Sequence, residues 1–120
     1  MKQILILMTF LSSLFGGNTT QADTITILDK AAFKEAIISD VQLVDVRTPQ
    51  EYQVGYIKNA TNIDFFNIAE FDTAFEKLNK EEPVYIYCRS GNRSQKAAQK
   101  LDSLGFQKIY DLKGGYMNWN

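Results

Sequence analysis

The chain has 120 residues, no histidine and a single cysteine, and its formal net charge at neutral pH is −1. A chain of this length builds one small hydrophobic core, so we expect a single domain. Without histidine and with one thiol it lacks the usual ligands of zinc or an iron–sulfur cluster, and no polybasic run favours nucleic acid, so we expect no metal, no cofactor and no nucleic-acid partner.

The first residues predict a secretory signal peptide. Lys2 is followed by an apolar run over residues 4–15, and a polar segment then ends at Ala22, whose small side chain suits a cleavage site. The apolar run is shorter than the roughly 20 residues that a membrane-spanning helix needs, so a retained anchor is the less favoured alternative. We expect residues 1–22 to be removed, residues 23–120 to form the mature domain, and the protein to be exported to the periplasm without stable membrane insertion.

Segments typical of strands and helices alternate along the rest of the chain. Strands are predicted over residues 24–28, 41–46, 60–64, 83–87 and 108–112. Helices are predicted over residues 31–38 after a cap at Asp29, 48–52 with an end at Gly55, 66–78, and 95–104 with Gly105 after the end. This alternation predicts a single α/β domain with a mainly parallel five-stranded sheet flanked by helices. In such sheets ligands bind at the carboxyl ends of the strands, where Asp45 and Cys88 are predicted to lie.

Cys88 stands where the apolar strand over residues 83–87 meets a basic loop. Thiolate is the reactive form of cysteine, and nearby arginines or a helix N-terminus lower the pKa of a thiol from its usual value of about 8.5. The loop supplies Arg89 and Arg93, and the helix predicted after it directs unpaired N–H groups to the same place. A buried structural cysteine is the alternative, but so polar a loop is a poor neighbour for an apolar core. A lone thiol in an oxidising compartment has no internal disulfide partner, so it is either reactive or paired with another molecule, and the polar loop leads us to predict that Cys88 is a nucleophile.

Three groups of residues resemble the single-domain rhodaneses. They are the loop over residues 88–94, the segment over residues 43–47 with Glu51 and Tyr52, and the segment over residues 112–116 with Trp119. The stretch over residues 55–63 also matches, although Tyr56 stands where the family usually has histidine. The resemblance covers nearly all of residues 23–120, and the leader makes the chain similar to the exported bacterial rhodaneses, which include the phage-shock-operon type.

The resemblance implies thiosulfate sulfurtransferase activity. Cys88 would attack the outer sulfur of a small anionic donor such as thiosulfate, sulfite would leave, and the Cys88 persulfide would pass its sulfur to cyanide, a thiol or a protein acceptor. We expect Cys88 to be catalytic and the loop to bind the substrate through N–H groups, with Arg93 orienting the donor and Arg89 attracting it. The predicted substrate-binding residues are Arg89, Ser90, Gly91, Asn92, Arg93 and Ser94.

Neighbouring residues have structural interpretations. We expect Asp45 to hold Arg47 or the loop, and the spacing of Arg47 and Glu51 suits a pair along the short helix. The resemblance places a turn at Gly114 and Gly115 beside the reactive loop. The aromatic and aliphatic side chains assigned to the core are Phe65, Phe66, Ile68, Phe71, Phe75, Leu78, Tyr110 and Trp119.

Two other functions stay open. Cysteine-dependent phosphatases place five residues between cysteine and arginine, whereas four separate Cys88 from Arg93, and the shorter loop suits a single sulfur better than a phosphoryl group. A persulfide carrier without turnover, or a partner-binding module, has the same loop as an enzyme, so turnover with small donors must separate them. We expect a monomer, because the pattern leaves no apolar face for a second copy.

Overall fold

The computed structural model describes residues 23–120, so the predicted signal peptide lies outside the described residues. The strands are β1 (Ile25–Leu28), β2 (Gln42–Asp45), β3 (Thr61–Asn62), β4 (Val84–Tyr87) and β5 (Ile109–Leu112). The helices are α1 (Lys30–Ala36), α2 (Pro49–Val54), α3 (Ile68–Glu76) and α4 (Asn92–Ser103), and a short 3₁₀ helix, Tyr116–Asn118, follows β5. Within residues 23–120, no helix has the length and apolar character to cross a bilayer.

The five strands form one sheet in the order β1-β5-β4-β2-β3, and every pairing in it is parallel. This confirms the predicted single α/β domain. Because the strands are parallel, their carboxyl ends share one edge of the sheet. Asp45 at the end of β2 is in register with Tyr87 at the end of β4, and the N–H of Val46 donates to the Tyr87 carbonyl at 2.9 Å. The residue after Tyr87, Cys88, is thereby held beside the end of β2.

The two faces of the sheet carry two apolar clusters. α3 and α4 cover one face, where Phe71 and Leu101 are fully buried, and α1 covers the other with Phe33, whose ring meets the edge of Tyr85. Each such side chain contributes roughly 1.5–3 kcal/mol by leaving water. β4 is buried on both faces, which explains its continuous apolar sequence. Since side chains alternate along a strand, Cys88 belongs to the cluster beneath α4.

Local sequence accounts for most helix ends. The Asp29 carboxylate accepts a hydrogen bond from the N–H of Ala32, which opens α1. Thr48 and Glu51 form a capping box at the start of α2, each accepting from the other's backbone N–H. α4 ends just before Gly105, whose φ of +100° takes the chain out of the helix. All three ends are where the sequence predicts them.

α4 begins three residues earlier than the predicted start at residue 95. Its N-cap is Gly91, with a φ of +103° and no side-chain cap. Glycine adopts this left-handed conformation at little cost, so the chain passes from β4 to α4 through a loop of four residues. The prediction of a loop extending to Ser94 is therefore wrong, because Asn92, Arg93 and Ser94 form the first turn of the helix.

Two apolar residues near the start of α3 were wrongly assigned to the core. Ile68 is 70% exposed and Phe66 is 61% exposed. The side chain of Asn67 accepts from the N–H of Glu70 and caps the helix, which puts Ile68 at its first position on the solvent side. Phe66 instead lies against the Arg93 guanidinium, 5.4 Å from its ring centre.

Candidate active site

Cys88 lies directly after β4 and is 1% exposed. The backbone N–H of Gly91 donates to its Sγ at 3.0 Å, and its Sγ lies 3.4 Å from the hydroxyl of Ser94. Gly91 is the N-cap of α4 and Ser94 lies in its first turn. The unpaired N–H groups and the positive dipole end of this helix face the region around the sulfur. The structure thus places the sulfur where a negative charge on it would be stabilised.

The other predicted binding residues are divided between the loop and the helix. Arg89, Ser90 and Asn92 are exposed, whereas Ser94 is buried. Among the loop and first-turn residues, Gly91 and Ser94 are the two that lie within hydrogen-bond distance of the Cys88 sulfur.

A glycine turn supports the back of this loop. The carbonyls of Cys88 and Arg89 accept hydrogen bonds from the N–H groups of Tyr116 and Met117, at 2.8 and 3.0 Å. Gly115 passes so close that a Cβ on it would lie 2.5 Å from the Arg89 carbonyl. With a φ of +66° as well, this position accommodates glycine alone without displacing the loop.

Arg93 forms an ion pair with the carboxylate of Glu51. Its two terminal nitrogens donate to the two oxygens of Glu51, at 2.7 and 2.9 Å. Hydrogen bonds from Arg93 are the main reason that the pKa of Glu51 falls from 4.5 to about 2. The predicted pairing of Glu51 with Arg47 is therefore wrong. The guanidinium of Arg93 donates to both oxygens of the Glu51 carboxylate, which the α2 capping box already holds in place. Arg47, which lies just before α2, cannot present its guanidinium to this carboxylate in the same way.

Arg47 pairs with Asp45 instead, as one of the two sequence interpretations proposed. Arg47 Nε and one terminal nitrogen donate to the Asp45 carboxylate, and the same terminal nitrogen donates to the Gly55 carbonyl at 2.6 Å. Both residues are buried, and the guanidinium lies 4.3 Å from the ring centre of Tyr116. This pair connects β2 to the end of α2 and to the segment that supports the loop.

Arg89 is the arginine of the site that no carboxylate pairs with, among the residues that the structure describes. It borders a cavity of about 300 Å³ beside the loop. The remaining residues that line this cavity are Arg47, Glu51, Val54, Tyr116 and Met117. The two charged members other than Arg89 are neutralised by their partners, so Arg89 gives this cavity its positive charge.

Asp111 is a site residue that the sequence analysis missed. It lies in β5 and is 2% exposed, and its Oδ2 accepts from the side-chain amide of Gln95 in α4. Burial raises its pKa to about 6, although hydrogen bonds from Ser94 and Gln95 act in the opposite direction. The signal was a carboxylate inside an otherwise apolar strand, which is uncommon unless the group has a role.

No metal centre is formed by the residues that the structure describes, since they contain no group of three or more potential ligands.

Comparisons with known proteins agree on one family. The family model described as "Rhodanese-like domain" matches residues 29–120. The thiosulfate sulfurtransferase GlpE of Coxiella burnetii is 38% identical over 80 residues, which are 67% of this chain and 72% of that protein. The tRNA uridine(34) hydroxylase of Pelagibacter ubique is 40% identical over 80 residues, but the matched part spans 27% of that protein. Among solved structures, a rhodanese-like domain protein from Staphylococcus aureus has a TM-score of 0.70 and 32% identity, covering 79% of this chain and 91% of that one.

Proposed function

This chain belongs to the rhodanese-like family, and we propose that it transfers sulfane sulfur through a persulfide on Cys88. The similarity to a thiosulfate sulfurtransferase supports sulfurtransferase activity in general. In the first step the Cys88 thiolate attacks the outer sulfur of thiosulfate, the sulfur–sulfur bond of the donor breaks, and sulfite leaves with the electron pair. In the second step a thiolate or cyanide takes the outer sulfur, and Cys88 thiolate is regenerated.

The observation on which this proposal depends is the local environment of the Cys88 sulfur. Gly91 donates its N–H to Sγ at 3.0 Å from the start of α4. A fixed donor and a helix N-terminus stabilise a thiolate and the terminal anion of a persulfide without needing to reorganise. The leaving sulfite is already an anion, so it needs no proton from a general acid.

We propose that Arg89 attracts the anionic donor. This is also the role predicted for Arg89 from the sequence, whereas Arg93 was predicted to orient the donor, and Glu51 offsets the charge of Arg93 through two hydrogen bonds. We therefore propose that Arg93 fixes the first turn of α4, while Arg89 supplies the positive potential at the cavity.

A persulfide carrier that serves one protein is the second candidate. Val54 and Met117 line the same cavity as Arg89 and are 91% and 56% exposed. Small hydrophilic acceptors gain little from such apolar surface, whereas a protein acceptor buries it. The predicted monomer, export and signal peptide likewise stay predictions from the sequence.

Intact-protein mass spectrometry after incubation with thiosulfate tests the persulfide. We expect one sulfur atom to be added to the wild type, none to Cys88→Ser, and one to the control Ser39→Ala, which removes an exposed hydroxyl from the segment before β2. Labelling of Cys88→Ser, or no labelling of a folded wild type, would contradict the proposal. Repeated turnover with thiosulfate and cyanide then identifies an enzyme, and a single loading event identifies a carrier.

A further inference from the structure

Three exposed apolar side chains lie near the loop of Cys88, on three different parts of the fold. They are Val54 at the end of α2, Phe66 just before α3 and Met117 in the 3₁₀ helix. A single apolar residue on a surface is ordinary, but several beside one site are typical of a contact with another molecule. We call the surface formed by these three side chains the apolar face.

One cavity and one ion pair connect the members of the apolar face. Val54, Met117 and Glu51 line the cavity of about 300 Å³ beside the loop. The Glu51 carboxylate is paired with Arg93, whose guanidinium carbon lies 5.4 Å from the ring centre of Phe66. The apolar face therefore borders both the loop and the first turn of α4, which together surround the reactive sulfur.

Backbone hydrogen bonds hold the members of the apolar face in place. The N–H of Phe66 donates to the Asp64 carboxylate at 2.9 Å, and the N–H of Met117 donates to the Arg89 carbonyl at 3.0 Å. Val54 ends a helix that a capping box opens. Because the backbone of this surface is already ordered, a partner that binds it loses little conformational entropy there.

The charge at one end of the apolar face is positive. Arg89 lines the same cavity as two members of the face, and Lys113 lines a second cavity with Ser90 of the loop. Neither cation has a carboxylate partner within residues 23–120. Asp64 supplies a carboxylate at the opposite end, next to Phe66. A carboxylate on a partner therefore complements the Arg89 end, although the whole chain has a net charge of −1.

We propose that the apolar face docks a protein that accepts sulfur from Cys88, and that this protein surrounds its thiol with apolar side chains and a carboxylate that meets Arg89. The inference rests on the persulfide given under the proposed function. The acceptor thiolate attacks the outer sulfur of the persulfide, the sulfur–sulfur bond breaks, and Cys88 leaves as thiolate with the electron pair. A second copy of this chain is not such an acceptor, because its single cysteine is buried.

The test measures sulfur transfer from the loaded protein to synthetic thiol peptides. One peptide has leucine on both sides of its cysteine and glutamate at each end; a second has serine in place of leucine. The double variant Val54→Ser/Met117→Gln should transfer to the leucine peptide about three- to tenfold more slowly than the wild type, and to the serine peptide or free cysteine at most about twofold more slowly. Comparing protein variants with the same peptide cancels differences in thiol reactivity. Ile38→Ser, which removes an exposed apolar side chain from a different cavity, should follow the wild type.

Loading of the protein by thiosulfate is verified first by mass spectrometry, so a protein that does not load contradicts the proposed function and not the docking face. Equal slowing of the double variant with all three acceptors, or no slowing with the leucine peptide, would overturn the proposal. So would a dimer seen by light scattering, or sedimentation with vesicles of phosphatidylglycerol and phosphatidylethanolamine, that the double variant abolishes, because a second copy or a membrane would then cover the face. Should the double variant fail to fold, Val54→Ser alone replaces it in each measurement.

Discussion

The loop of Cys88 has carboxylates on two sides, and they are held in opposite ways. On the side of β2 and α2, Asp45 and Glu51 each meet an arginine through paired hydrogen bonds. On the side of β5, Asp111 is buried against a neutral amide and keeps one oxygen without a partner. On the first side each carboxylate is paired with an arginine, whereas on the second side the carboxylate has no cation partner among the described residues.

This difference shows that carboxylates beside the same loop lie in two different electrostatic environments. An arginine fork stabilises the ionised carboxylate and fixes its direction, which suits a support for the loop. Burial without a cation disfavours the ionised form and brings the pKa of Asp111 to about 6, where a proton is exchanged near neutral pH.

Asp45→Asn should have the largest effect, because it breaks the deepest of the fixed pairs. It leaves the Arg47 guanidinium, in a residue 4% exposed, without a counter-charge. Breaking a buried pair from one side costs about 3–5 kcal/mol of unfolding free energy, measurable by urea denaturation. The matched control Glu76→Gln breaks the exposed pair with Lys80 and should cost at most about 0.5 kcal/mol. Similar losses in the two variants would show that the buried pair does not anchor the loop.

Asp111→Asn should act in the opposite direction on stability. A folded-state pKa of about 6, against 3.8 for an ordinary aspartate, means that the folded protein binds the proton more tightly than the unfolded chain. Stability therefore falls as the pH rises from about 4 to 6, by up to about 3 kcal/mol. The variant should lack this fall and be more stable than the wild type at pH 7. Equal slopes over that range for both proteins would refute the assignment.

Glu51→Gln should have a smaller effect, confined to a different pH range. The pKa of Glu51 is lowered from 4.5 to about 2, so its contribution is complete above pH 4.5 and is lost as the pH falls toward 2. Since the pair is partly exposed, we expect a loss of about 1–2 kcal/mol at neutral pH after allowing for solvent screening. The wild type should thus be most stable near pH 4–5, and thermal unfolding across pH in the two single variants should separate the two slopes.

The fold was predictable because the local signals agreed with each other. Asp29, Thr48 and Gly105 each mark a helix end at the place where the structure has one. The start of α4 was mistaken because no side chain caps it, and the deciding feature is the backbone conformation of Gly91. Sequence pattern shows that a glycine is present but does not show its φ.

The part of the site that is formed by residues adjacent in the sequence was predictable. Cys88 and its position after a buried strand follow from sequence alone. The partner of Arg93 does not, because Glu51 is 42 residues away and is brought to it by the adjacency of β2 and β4. Asp111 likewise reaches Gln95 of α4 only through the tertiary arrangement, so no local pattern encodes this contact.

Arg89→Ala tests the remaining cation and should have the smallest effect. Arg89 is exposed and has no paired carboxylate in the described chain, so its charge acts on approaching anions through partly screened space. We expect reaction of Cys88 with thiosulfate and with iodoacetate to slow by about three- to tenfold, and reaction with neutral iodoacetamide to stay within about twofold. Arg89→Lys should restore the anionic rates, and high salt should bring the wild type to the level of the alanine variant. Equal slowing with iodoacetate and iodoacetamide would instead mean that Arg89 shapes the loop and does not act through its charge.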